Sequence, residues 1–225
     1  MDARSRWVRY LESLPETPQR LAVLRRFPGR HVRLARLLAE GLRPAEAAER
    51  LAALAGEGSA EDWARAQRDA AADLAYLARR GAALLGPGDP GWPRALSALR
   101  EPPVLLSVLG RLPEGPCLGI VGTRSATPEG SDAAARVAAA WAGRGGWVVS
   151  GGAEGIDAAA HRGCLAAGRP TVVVLGTGLA HPYPASNLGL FARVAGLGAL
   201  ISELPPGFEG QRWTFLRRNR IVAAL

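Results

Sequence analysis

Three glycine-bearing stretches hold the residues with the clearest chemical potential. In VVSGGAEGIDAAAHRG, residues 148–163, an apolar run passes into Gly151, Gly152 and Gly155 and then into a helical pattern. A helix N-terminus preceded by glycines offers unpaired backbone N–H groups and the positive end of the helix dipole, so it favours an anion. The chain has neither the G-x-x-x-x-G-K-[ST] of a mononucleotide P-loop nor the G-x-G-x-x-G of a dinucleotide site. Upstream, Gly122-Thr123-Arg124-Ser125 follows the apolar run CLGIV. It combines a glycine that lets backbone approach a ligand with a planar guanidinium suited to phosphate oxygens. Downstream of TVVVLG, the residues Gly178, Tyr183-Pro184 and Asn187 add an aromatic face and an amide. Any one such loop could be a tight βα turn that needs glycine for geometry alone; three of them on one sheet edge point to a binding site.

A catalytic reading is weaker. Asp157 and His161 are four residues apart on one helical pattern, so they can touch, and Ser150 precedes the same loop. Such pairs are common in plain surface networks, and nothing in the spacing brings Ser150 to His161. We assign no catalytic residue and no cofactor. The two cysteines, Cys117 and Cys164, show no CxxC and no nearby His at ligand spacing, so neither a disulfide framework nor a metal site is indicated.

The elements that must position these loops read as strand, loop, helix, repeated from Pro116 onward. CLGIV, WVVS, TVVVLG and ALIS are short and apolar, with Ala-rich helical segments between them, one opened by Thr127-Pro128-Glu129. That grammar predicts an α/β fold, a parallel sheet covered on both faces. Ligands of such sheets bind beyond the carboxyl ends of the strands, which selects the loops 122–127, 151–155, 176–187 and 203–212. Residues 1–81 read as a small all-helical domain, with Leu, Ala and Val at three- and four-residue spacing and start signals at Thr17-Pro18, Arg43-Pro44 and Ser59. Within it LRRFPGRHVRLARLL, residues 24–38, is similar to a helix-hairpin-helix, with His31 where the motif usually has its second Gly, and packing is the simpler role. Residues 82–115, rich in Gly and Pro, read as a linker and docking segment, and 116–225 as the Rossmann-like domain.

The chain has 225 residues and no Lys; its 28 basic residues are all Arg, against 20 acids, for a net charge of +8. Missing Lys fits a GC-biased genome, but the excess of Arg favours anionic partners. Residues 101–206 hold seven Arg and seven acids, whereas 207–225 hold Arg212, Arg217, Arg218 and Arg220 against Glu209 alone. These arginines are interleaved with Phe208, Trp213 and Phe215, a mixture suited to single-stranded nucleic acid, whose phosphates need cations and whose bases need stacking faces. Alternatively, Trp213 and Phe215 are core and the arginines a solvated helix start. The start of the chain lacks the apolar core of a signal peptide and no run is long enough to span a bilayer, so a cytoplasmic protein with no membrane role is expected.

Together DPGWPRAL, PPVLLSVLG, GIVGTRSATPEG, SGGAEGIDAAAHRGCLAAG, TVVVLGTGLAHPYPASNLGL, ISELPPG and FLRRNRIVAAL resemble, in order and spacing, the DNA-processing protein A (DprA, or Smf) family. The resemblance runs from about residue 86 to 225 and is looser for the helical part, which is similar to the family's variable SAM-like domain. It implies an extended Rossmann fold that binds and protects single-stranded DNA and loads RecA recombinase in natural transformation, without being an enzyme. It makes Arg124 of Gly122-Thr123-Arg124 the leading phosphate ligand and Ser150, Gly151 and Gly155 a second cradle. Arg217, Asn219 and Arg220, with Asn187, would complete the pocket. Glu154 stands where many members carry Lys or Arg, which implies a weaker phosphate contact there, and Leu216 and Ala224 replace a usual Pro and Gly. The alternatives are a nucleotide-binding module or a LOG-type phosphoribohydrolase, whose P-G-G-x-G-T-x-x-E loop is absent from this chain. In the family the chain continues past the RNR motif into a homodimer and recombinase surface, so this one is expected to be truncated, with an unpaired sheet edge and impaired dimerisation. The other expectation is that the strands counted here suffice and the helical domain dimerises.

Overall fold

The computed structural model describes Leu21, Ala22, Leu24, Arg25 and residues 60–225. The start signals at Thr17-Pro18, Arg43-Pro44 and Ser59, and His31 of the hairpin-like stretch, lie outside the described residues. In chain order the elements are α1 (Ala60–Arg80), β1 (Ala83–Leu85), a 3-10 turn (Arg94–Ala98), β2 (Leu106–Gly110), β3 (Cys117–Gly119) and α2 (Pro128–Gly143). Then follow β4 (Trp147–Ser150), α3 (Ile156–Ala166), β5 (Thr171–Val174), α4 (Leu188–Leu197), β6 (Ala199–Ser202) and α5 (Arg212–Ala224).

The four apolar runs become β3, β4, β5 and β6, paired parallel in that order. The sheet is nevertheless mixed, with order β1-β2-β6-β5-β4-β3: β2 pairs antiparallel with β6, and β1 antiparallel with β2. Both added strands come from residues 82–115, which their Gly and Pro content marks as a linker. Those glycines and prolines in fact make the turns between strands, where Asp89 N–H donates to Gly86 O and Trp92 N–H to Asp89 O. A three-residue strand such as β1 is too short to show a period, and its neighbours hide it.

Because β3 to β6 lie side by side in chain order, right-handed crossovers put α2, α3 and α4 on one face. The core divides accordingly. Val173 and Leu200 pack with Leu165 of α3 and with Leu190, Phe191 and Val194 of α4. Their strand neighbours Val172, Val174, Ala199 and Ile201 point the other way, against Ile221 and Val222 of α5 and against Trp92 and Leu96. Fully burying one such aliphatic side chain contributes roughly 1.5–3 kcal/mol, so these two layers, rather than surface ion pairs, hold the sheet. Helix α2 starts where Thr127-Pro128 predicts: the Thr127 hydroxyl accepts from Gly130 N–H at 3.1 Å and proline takes the first position. Its small residues Ala138 and Ala142 let α2 settle onto Ala160 and Cys164 of α3 and Val148 of β4. Among the described residues no helix is long and apolar enough to cross a membrane.

Candidate functional site

The loops after β3 and β4 lock together. Gly155 has φ +72°, and a Cβ there would lie 2.2 Å from Thr123 O and 2.7 Å from Arg124 O. Ile156 N–H donates to Thr123 O at 3.2 Å, and a Cβ on Gly122 would meet the Ile156 side chain at 2.6 Å. The backbone of Gly122-Thr123-Arg124 therefore rests on the first residues of α3. This seat leaves the Arg124 side chain exposed.

Beside it opens a small cleft lined by Arg124, Gly151, Ala153, Glu154, Tyr183, Pro184, Phe215 and Arg218. Arg218, from α5, is buried, and its Nη1 donates to Gly151 O at 2.6 Å and to Val174 O. Its Nε donates to Asn219 Oδ1 at 3.2 Å. These bonds use Nε and Nη1 of the guanidinium. Burial holds the Arg218 guanidinium below its ordinary pKa, Asp157 opposes that and Arg124 reinforces it. Two guanidiniums that repel each other across a small cleft gain from an anion placed between them. Phe215 and Tyr183 meet edge to face, with ring centroids 5.6 Å apart, and the Tyr183 ring is 55% exposed.

The glycine loop itself is arranged differently from a phosphate cradle. Its Gly151 and Ala153 N–H groups donate to Asp157 Oδ2 at 3.2 and 3.3 Å, so a carboxylate of the chain already occupies two amides. Gly151 serves the cleft instead by its carbonyl and by lacking a Cβ, which would stand 2.4 Å from Arg218 Nη2. Ser150 is buried and its hydroxyl donates to Ile120 O at 2.5 Å, which ties β4 to the end of β3. Asn187 is buried too, with Nδ2 donating to Gly152 O at 3.1 Å, and holds the loop from behind. His161 bonds to Thr171 instead: its Nδ1 meets the Thr171 hydroxyl at 2.8 Å, and burial, then Arg218, pushes its pKa down to about 3. Ser150, Asp157 and His161 thus each have a separate partner. Among the described residues no cluster of His, Cys, Asp and Glu could hold a metal ion.

Of the residues singled out in the sequence, the structure brings Arg124, Gly151, Glu154, Tyr183, Pro184 and Phe215 to the cleft, with Gly122, Thr123 and Gly155 as its frame. Arg217 and Arg220 lie elsewhere on α5, against Glu203 at the end of β6, with Glu101 3.5 Å from Arg217. Asn219 is exposed and accepts from Arg218. Sequence reasoning counts Arg218 in the basic cluster but leaves it out of the pocket, in favour of Arg217, Asn219 and Arg220. Its signal was present, since Thr214, Arg218, Ile221 and Val222 share the buried side of α5.

The Glu203 cluster gives a test of its own. Burial holds the Glu203 carboxyl above its ordinary pKa, opposed by Arg220 and Arg217, with Glu101 adding to the rise. A carboxyl raised in the folded state costs stability as pH climbs from its unfolded value through its folded one, because folding then competes with loss of a tightly held proton. Arg220→Ala enlarges that rise. It should cost about 2 kcal/mol at neutral pH, between an exposed and a fully buried pair, and clearly less near about pH 5. Urea unfolding at both pH values checks this; an equal loss at both would reduce Arg220 to packing.

Residues 83–225 match the family model of DNA recombination-mediator protein A. The chain belongs to this family. Among curated members of the DprA/Smf family, protein Smf of Synechocystis is 44% identical over 147 residues, which cover 63% of this chain and 37% of that one. The chain spans about half the length of other curated relatives it matches. A solved DNA processing protein A from Helicobacter pylori, studied for its single-stranded DNA binding mode, superposes with TM-score 0.57 at 30% identity, over 64% of this chain and 65% of that one. The DprA of Streptococcus pneumoniae, at 23% identity, shares the fold with TM-score 0.62 over all of this chain and 75% of its own.

Proposed function

We propose that the cleft binds single-stranded DNA, with Arg124 and the Nη2 edge of Arg218 on backbone phosphates and with Tyr183 and Phe215 offering ring surface to the bases. The protein would protect such DNA and load a RecA-type recombinase onto it in natural transformation. The observation that carries this reading is the convergence of two guanidiniums and two aromatic rings on one cleft at the carboxyl edge of the sheet. Splayed bases of a single strand can reach such rings, whereas stacked duplex bases cannot. Family membership and the Helicobacter pylori relative support it.

The test is titration of labelled oligo-dT at several salt concentrations, with a duplex and AMP as competitors. Oligo-dT should bind in preference to both. Each phosphate contact on a single strand contributes roughly −0.7 to the slope of log K against log salt, so Arg124→Ala should flatten the slope by about that amount. An unchanged slope and affinity would remove Arg124 from the site. Displacement of oligo-dT by AMP at equal concentration would favour a nucleotide-binding module. Stimulation of RecA filament formation on single-stranded DNA is the check on the second half of the proposal.

A further inference from the structure

We infer that Glu154 makes this cleft a reader of one base edge, favouring guanine at the nucleotide that stacks beside Tyr183. The inference rests on single-strand binding at this cleft. Glu154 lines the cleft with Arg124 and Arg218, yet among the described residues it forms an ion pair with neither. Its Oε1 instead accepts from the Ser186 hydroxyl at 2.7 Å. Ser186 belongs to the same turn as Tyr183 and Pro184, so one short segment carries both the exposed ring and the group that orients the carboxylate.

A carboxylate among phosphate ligands only repels a nucleic-acid backbone unless something brings N–H donors to it. Phosphates and deoxyriboses bring none, and base edges do. A carboxylate accepts at two oxygens with about four lone-pair positions, so the bond from Ser186 leaves room for two more. Guanine alone presents two adjacent donors, N1–H and the N2 amine, on its Watson–Crick edge. They meet a carboxylate as a fork, in the way an arginine does. Adenine and cytosine place one amine beside a ring-nitrogen acceptor, and thymine sets its one N–H between two carbonyls. Each of those edges turns a lone pair towards Glu154. A base stacked on Tyr183 has this carboxylate in the same cleft, and only guanine would gain from both oxygens.

The experiment compares labelled oligo-dT with the same strand carrying a few isolated deoxyguanosines, deoxyinosines or deoxycytidines, on the parent and on Glu154→Gln. The guanosine strand should bind the parent roughly three- to tenfold more tightly than oligo-dT, the low end of bidentate base readout because the site is open to solvent. Inosine, which keeps N1–H and lacks the amine, should fall between, and cytidine should match oligo-dT. Glu154→Gln should bind oligo-dT more tightly than the parent does, from lost repulsion, and should level the series. Equal affinity of the parent for oligo-dT and the guanosine strand would overturn the inference while leaving single-strand binding intact. So would a guanosine preference that survives Glu154→Gln. Failure of the parent to bind any strand would instead overturn the reading of the cleft, and this inference with it.

Discussion

Arg218→Ala is expected to weaken oligo-dT binding by an order of magnitude or more and to lower folding stability by about 3 kcal/mol. The stability loss follows from what the guanidinium holds. Gly151 O and Val174 O both accept from Nη1, and they sit where β4 and β5 end. Hydrogen bonds to a charged donor contribute roughly 1.5–3 kcal/mol each, and buried carbonyls left without a donor add to the loss. Against this stands the relief of desolvating a buried cation, which is why the net figure is smaller than two such bonds. The affinity loss has a different origin, the removal of one of two positive charges in the cleft and the release of the Gly151 carbonyl. Arg218→Lys separates the two. Lysine keeps the charge but has one nitrogen where the guanidinium has three, so it cannot hold both carbonyls and also face the cleft; it should restore part of the salt dependence and less of the stability. Oligonucleotide titration and denaturant unfolding on the three proteins measure both effects. Parent-like affinity in Arg218→Ala would remove this residue from the interface.

Gly155→Ala should be still more damaging, by about 4 kcal/mol or more, and should abolish binding. At φ +72° and ψ −126° the backbone lies in a region that essentially only glycine adopts, so an L side chain is strained by roughly 1–3 kcal/mol before it touches anything. Here its Cβ would also press into Thr123 O and Arg124 O, backbone atoms that can yield only if the loop carrying Arg124 moves. Gly168 is the internal control, because it has φ +65° with nothing within 4 Å of its Cβ position. Gly168→Ala should therefore show the cost of a positive φ without a clash, and thermal unfolding should find Gly155→Ala clearly the more damaging of the two. If the two lost equal stability, the packing of the 122–125 loop on α3 would not be rigid, and the exposure of Arg124 would need another cause.

Much of this protein is determined by local sequence. The four short apolar runs specify β3 to β6 because a strand covered on both faces has no polar side to alternate with. Thr127-Pro128 specifies the start of α2 because a capping hydroxyl and a proline act within one turn. The grouping of the loops on one sheet edge follows from parallel order alone, and it brought Arg124 forward without any contact being known. What local sequence could not determine are the facts that depend on which side of an element meets the sheet. Leu84-Leu85 and the run of residues 106–110 become strands only because β6 offers an edge for β2, and β2 one for β1. Asp157 reads as half of a surface pair until the fold of its loop presents two amides to it. The arginines at 217, 218 and 220 are alike in composition and in charge. Successive residues of a helix point about 100° apart, so burying Ile221 and Val222 against the sheet sends Arg218 to the cleft and leaves Arg217 and Arg220 to Glu203. Charge is a property of the chain; the direction in which a charge points is set by the packing of the helix that carries it.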